Sequence, residues 1–165
     1  MKKIIIFSIL FFILPIFNYA QEKVFSNVKT NSGEVKIPGE WKQLNSMDDS
    51  GQTYLKNGNG VIIAIAKNPQ KAYSFYKNDN SDFENVKEFY KWDSNYRSEN
   101  NFKTKKLKEN SKLNYIIWLY NDGKLDNIFL FGVVGNFFLN LLVYTDLWNE
   151  SEKIEFLENL FEINK

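Results

Sequence analysis

The chain has 165 residues, with 21 basic and 20 acidic side chains, a formal net charge of +1, and neither histidine nor cysteine. Such a balance offers no net field to a nucleic acid or an anionic membrane. The missing imidazole and thiol remove the commonest general base, the usual zinc, copper, haem and iron–sulfur ligands, and both Ser-His-Asp and Cys-His catalysis. No cofactor and no metal are expected.

The first segment, MKKIIIFSILFFILPIFNYA, has the layout of a secretory leader: Lys2 and Lys3, an apolar run from Ile4 to Phe17, and Ala20 before Gln21. The run is about 14 residues long and is interrupted by Pro15, whereas a membrane-spanning helix needs about 20. The cut is expected after Ala20, although Asn18 is not the small residue usually found two positions earlier. The protein is therefore expected to be exported, periplasmic or extracellular, with residues 21–165 as one domain. A lipid anchor of the bacterial lipoprotein type is excluded, because it requires a cysteine. Export without disulfides leaves stability to packing, for which an aromatic content of 17% supplies the material.

A polar lead-in occupies 21–31. GEVKIPGEWKQL then reads as a short strand ended by a Pro38-Gly39 turn, with Trp41 packed over the turn. QTYLKNGNGVIIAIAKN reads as a hairpin turning at Asn57–Gly60. Pro69 suits the first turn of a short helix over 69–77. Ser81, with Glu84 three residues on, forms a capping-box signature for a helix running to about Tyr96. FKTKKLKEN at 102–110 reads as a lysine-rich strand. Three apolar runs follow, separated by turns at Asn121-Asp122-Gly123 and Gly135-Asn136. Asn149 and Glu152 cap a last helix that carries Ile154, Leu157 and Phe161 on one face.

The runs VIIAIA, YIIWLY, IFLFGVV and FLNLLVY are apolar at nearly every position instead of alternating. Strands of that kind are dry on both faces and need a covering layer on each side. Hairpin turns make the sheet antiparallel and the helices supply the covers. The expected fold is α+β, a three-layer α/β/α sandwich around a mostly antiparallel sheet. In such a fold the architecture takes up the apolar surface and leaves little for a site.

The helix over 82–97 carries more rings than one buried face requires. Phe83, Val86 and Tyr90 make one stripe and Phe89, Trp92 and Tyr96 a second. The second stripe is either a further wall of the core or, with Arg97 beside it, an exposed aromatic ledge of the composition found at interface hot spots. It reads as wall with a binding rim, and Phe89, Trp92, Tyr96 and Arg97 are the candidate binding residues. No catalytic residue is nominated. The acids show no paired arrangement, NDNSDFE lacks the register of a calcium loop, and the glycines of NGNG belong to a turn. KTKKLK reads as an edge strand guarded by lysine.

The order of a VKIPGEW strand and turn, a hairpin, a mid-chain helix, successive long strands and a terminal IEFLENLFEI helix resembles the PsbP/Mog-type α/β/α fold, which includes the bacterial DcrB-like exported proteins. Pro38-Gly39-Glu40-Trp41 carries the resemblance at the level of a motif. The resemblance implies a non-catalytic module docking onto a larger partner, and it transfers no functional residue. The expected function is thus an exported binding or accessory module with a protein partner in the cell envelope, without nucleic acid and without stable membrane insertion. An immunity protein against an exported toxin is one form of it. The alternatives are a carboxylate-dependent cell-wall hydrolase and a small-ligand carrier.

Overall fold

The computed structural model describes residues 24–45 and 51–165. In chain order these form β1 (Phe25–Thr30), β2 (Gly33–Pro38), β3 (Trp41–Gln43), β4 (Thr53–Asn57), β5 (Ile62–Pro69), α1 (Asp82–Glu99), β6 (Lys103–Asn110), β7 (Tyr115–Asn121), β8 (Asp126–Val134), β9 (Phe137–Tyr144) and α2 (Glu150–Glu162). Strands β1 and β2 pair as a separate hairpin. The other seven form one sheet in the order β3-β4-β5-β9-β8-β7-β6, with every neighbouring pair antiparallel. The fold is α+β with a mostly antiparallel sheet. The leader expected at 1–20 lies outside the described residues, as do Asp48 and Asp49.

Local chemistry sets the element ends. At α1, the Ser81 hydroxyl accepts from the Glu84 amide while the Glu84 carboxylate accepts from the Ser81 amide. The Ser81 amide, and with it the Ser81 hydroxyl, donates to the Glu84 carboxylate, and these two hydrogen bonds hold that carboxyl below its ordinary pKa. Asn149 and Glu152 make the same reciprocal pair at α2. At the first turn, the Trp41 indole donates to the Pro38 carbonyl at 2.9 Å, and Gly39 takes the positive φ of 92° that the reversal requires. The Asn57 side chain closes the NGNG turn by accepting from the amides of Asn59 and Val61.

Two segments differ from expectation. Residues 25–30, read as a polar lead-in, form β1. Only Val28 of that strand is buried, opposite Val35 of β2, so the pairing rests on backbone hydrogen bonds and left little hydrophobic trace in the sequence. Residues 69–77, read as a short helix, form a single 3₁₀ turn at Gln70–Ala72. The segment is held there by side chains: Tyr73 and Phe75 pack against the buried Phe89.

The long strands are dry on both faces. In β7, Ile116 and Trp118 belong to a cluster with Val86 and Phe89 of α1, whereas Ile117 and Leu119 belong to another with Leu157, Leu160 and Phe161 of α2. The β1–β2 hairpin contributes Val28, Val35 and Ile37 to the α2 cluster. Asn164, just past α2, ties the hairpin down by bonding both the amide and the carbonyl of Lys36 at 2.8 Å. The lysine-rich β6 is the last strand of the sheet, as its composition implied. No helix among the described residues is long and apolar enough to cross a membrane.

Candidate functional site

Across the sheet, Ala66 of β5, Asn140 of β9 and Phe131 of β8 are register partners and so share one face, the face that carries α1. Phe89 of α1 stacks on Phe131, with ring centroids 4.0 Å apart, which seats the helix over β8 and β7. Beyond that stack the row continues to Asn140 of β9. A groove of about 760 Å³ lies there, floored by Asn140 and bounded by α1, by Tyr73 and by the end of β5. The expectation that the architecture leaves little room for a site is corrected on this point. The face is closed where Phe89 stacks on Phe131 and open around Asn140 and the end of β5 at Asn68 and Pro69.

All four nominated residues line this groove, in different roles. Phe89 is 2% exposed and belongs to the core. Trp92 and Tyr96, one and two turns on, are 52% and 57% exposed and form the rim. The second aromatic stripe is therefore wall at one end and ledge at the other. Trp92 is backed by Phe75, with centroids 5.6 Å apart, and stands edge-on to Tyr73 at 6.2 Å. Arg97 donates through Nε to Asp93 Oδ1 at 3.2 Å, and its guanidinium lies 4.4 Å from the centre of the Tyr120 ring. The guanidinium is held in place by both contacts.

Sequence reasoning did not nominate Asp93, Asn140, Asn68 or Tyr73. Asp93 falls four residues after Phe89 and four before Arg97, on the face that turns to the groove, and is 8% exposed. Burial pushes its carboxyl above the ordinary value, and the neighbouring Arg97 opposes that shift. Asn140 is the one polar residue in the run FFLNLLVY, a signal that was present in the sequence. Its buried Oδ1 has no hydrogen-bond partner among the described residues. Asn68 donates to the Tyr73 hydroxyl at 3.0 Å, and burial raises the Tyr73 pKa, so the phenol keeps its proton and can donate in turn.

Asp93 is the single acid among the described residues lining the groove. The arrangement is equipped for recognition: aromatic faces at the rim, amides on the floor, and a compensated ion pair in the wall. No protein-family model matches the chain, and no curated protein matches it in sequence.

Proposed function

We propose that the protein is an exported, non-catalytic binding module of the cell envelope that recognises its target with the groove beside α1. One observation carries this reading: Trp92 and Tyr96 remain half-exposed at the mouth of the groove while Phe89, on the same stripe, is buried. Leaving two large rings in water forgoes burial worth roughly 1.5–3 kcal/mol for a large apolar side chain, and binding recovers it. The groove also lies within the range of about 300–1,000 Å³ typical of ligand sites. The test is the double variant Trp92→Ala/Tyr96→Ala. It should lose its ligand or partner while its thermal midpoint falls by no more than about 5 °C. A variant that unfolds would assign the rings to the core and end this reading.

A protein interface is the second form of the reading, favoured by the Trp–Tyr–Arg composition of the rim, which matches interface hot spots. An immunity protein bound to an exported toxin is its specific case, and a toxin encoded beside this gene would favour it. Retention of a small molecule in native mass spectrometry would favour the ligand-carrier form. The three-layer α/β/α reading is supported by the separation of the α1 and α2 clusters on alternate residues of β7. A PsbP/Mog-type relationship is supported by the element order alone.

A further inference from the structure

The groove combines three properties that narrow the chemistry of its ligand. Four residues with side-chain amides line it: Asn31 in the β1–β2 turn, Gln52 before β4, Asn68 at the end of β5 and Asn140 in β9. Rings stand along its α1 side, with Trp92 and Tyr96 at the rim. Among its described lining residues the one acid and the one base, Asp93 and Arg97, are bonded to each other, so these residues present no net charge.

We infer that the groove binds a neutral saccharide, stacked on Trp92 and Tyr96 and hydrogen-bonded through its hydroxyls to the floor amides and the Asp93–Arg97 pair. The inference rests on the groove being the recognition site. A pyranose presents C–H groups on its faces and hydroxyls around its edge, each hydroxyl both donor and acceptor. The faces suit an aromatic platform, and the edge suits a carboxamide, which also offers both functions. The platform is braced: Phe75 and Phe89 pack against Trp92 at 5.6 and 6.2 Å, so little freedom is lost when a ligand stacks on it.

Other ligand classes fit less well. A phosphate or other anion needs an uncompensated cation, and Arg97 is committed to Asp93 and to the Tyr120 ring. A hydrocarbon chain would cover the side-chain amides that line the groove without pairing with them. An extended peptide is held chiefly by main-chain hydrogen bonds to an open strand edge. At Asn140 the strand pairs on one side with Ala66 and on the other with Phe131, so the floor offers side chains alone.

The experiment is titration of the ¹⁵N-labelled protein with cello-, malto-, xylo- and chito-oligosaccharides at millimolar concentration, with an uncharged blocked tetrapeptide and inorganic phosphate as separate arms. At least one oligosaccharide should move, saturably, the Trp92 indole N–H and the side-chain amide signals of Asn140 and Asn68, leaving the buried Trp118 indole unmoved. Trp92→Ala and, independently, Tyr96→Ala should each weaken that binding about tenfold while the rest of the spectrum stays native. If every saccharide is silent, or moves the Trp41 or Trp148 indoles instead, the inference is overturned. Groove shifts with the peptide or phosphate alone would overturn the saccharide and keep the groove as a binding site. Silence in every arm would overturn the saccharide, and the capture test with Trp92→Ala/Tyr96→Ala decides the groove separately.

Discussion

Phe89 and Phe131 lie face to face, with centroids 4.0 Å apart and ring planes 10° from parallel. This stack joins α1 to the sheet and marks where core ends and groove begins. Phe89→Ala should destabilise the protein by about 3–5 kcal/mol, the usual cost of emptying a buried phenyl site. Trp92→Ala, one turn away and half-exposed, should cost about 1 kcal/mol or less. Urea denaturation of the two variants checks the division. Equal losses would mean that rim and wall are one packing unit.

On the opposite face, Gly132 of β8 lies under the buried ring of Phe161. A Cβ at Gly132 would stand 2.4 Å from Phe161 Cε2, closer than any real contact. Gly132→Ala should therefore cost about 1–3 kcal/mol through forced displacement of α2. Adding Phe161→Leu should recover part of that loss, because the smaller side chain leaves room for the methyl group. A double-mutant cycle by chemical denaturation would show the coupling, and strictly additive effects would refute it.

Asp93 gives the fold a definite pH response. Its folded-state pKa lies above the ordinary 3.8 because of burial, so between 3.8 and the raised value the native state holds more proton than the unfolded chain. Its contribution to stability is accordingly full below 3.8 and lost as pH rises through the raised value. The stability of the parent relative to Asp93→Asn should fall across that window and level off above it. Denaturation midpoints for both proteins from pH 3 upward, with the carboxyl carbon of Asp93 followed by NMR, check the sign. A rising difference would contradict it.

The seven-stranded sheet ends at β6, whose Lys103 and Lys105 are exposed. Lysine on an open edge opposes pairing with a second molecule. Lys103→Val/Lys105→Val should leave unfolding free energy within about 0.5 kcal/mol of the parent yet promote concentration-dependent association. Light scattering across a dilution series measures this. A variant that stays as dispersed as the parent would deny the lysines that role.

Much of the secondary structure was legible because its causes are local. Ser81/Glu84 and Asn149/Glu152 cap their helices through contacts three residues apart, and the turns at 57–60, 121–123 and 135–136 follow from glycine, asparagine and aspartate. The unbroken apolar runs announced strands dry on both faces. β1 escaped notice because one buried valine gives no period, and the segment 69–77 because aromatic packing outweighed its helical start.

Chain order alone sufficed for these elements, since each depends on neighbours within a few positions. It also supplied the four residues of α1 that meet the groove, for helix geometry puts 89, 92, 96 and 97 on one side. It did not supply the groove itself. Asp93 and Asn140 line one groove because a helix and a strand distant in sequence are brought to the same face of the sheet. Whether Trp92 is wall or rim was decided there too: Phe89 stacks on Phe131 of the sheet and is buried, whereas Trp92 meets the rings of Tyr73 and Phe75 and stays half-exposed, a division set by tertiary contacts that chain order does not contain.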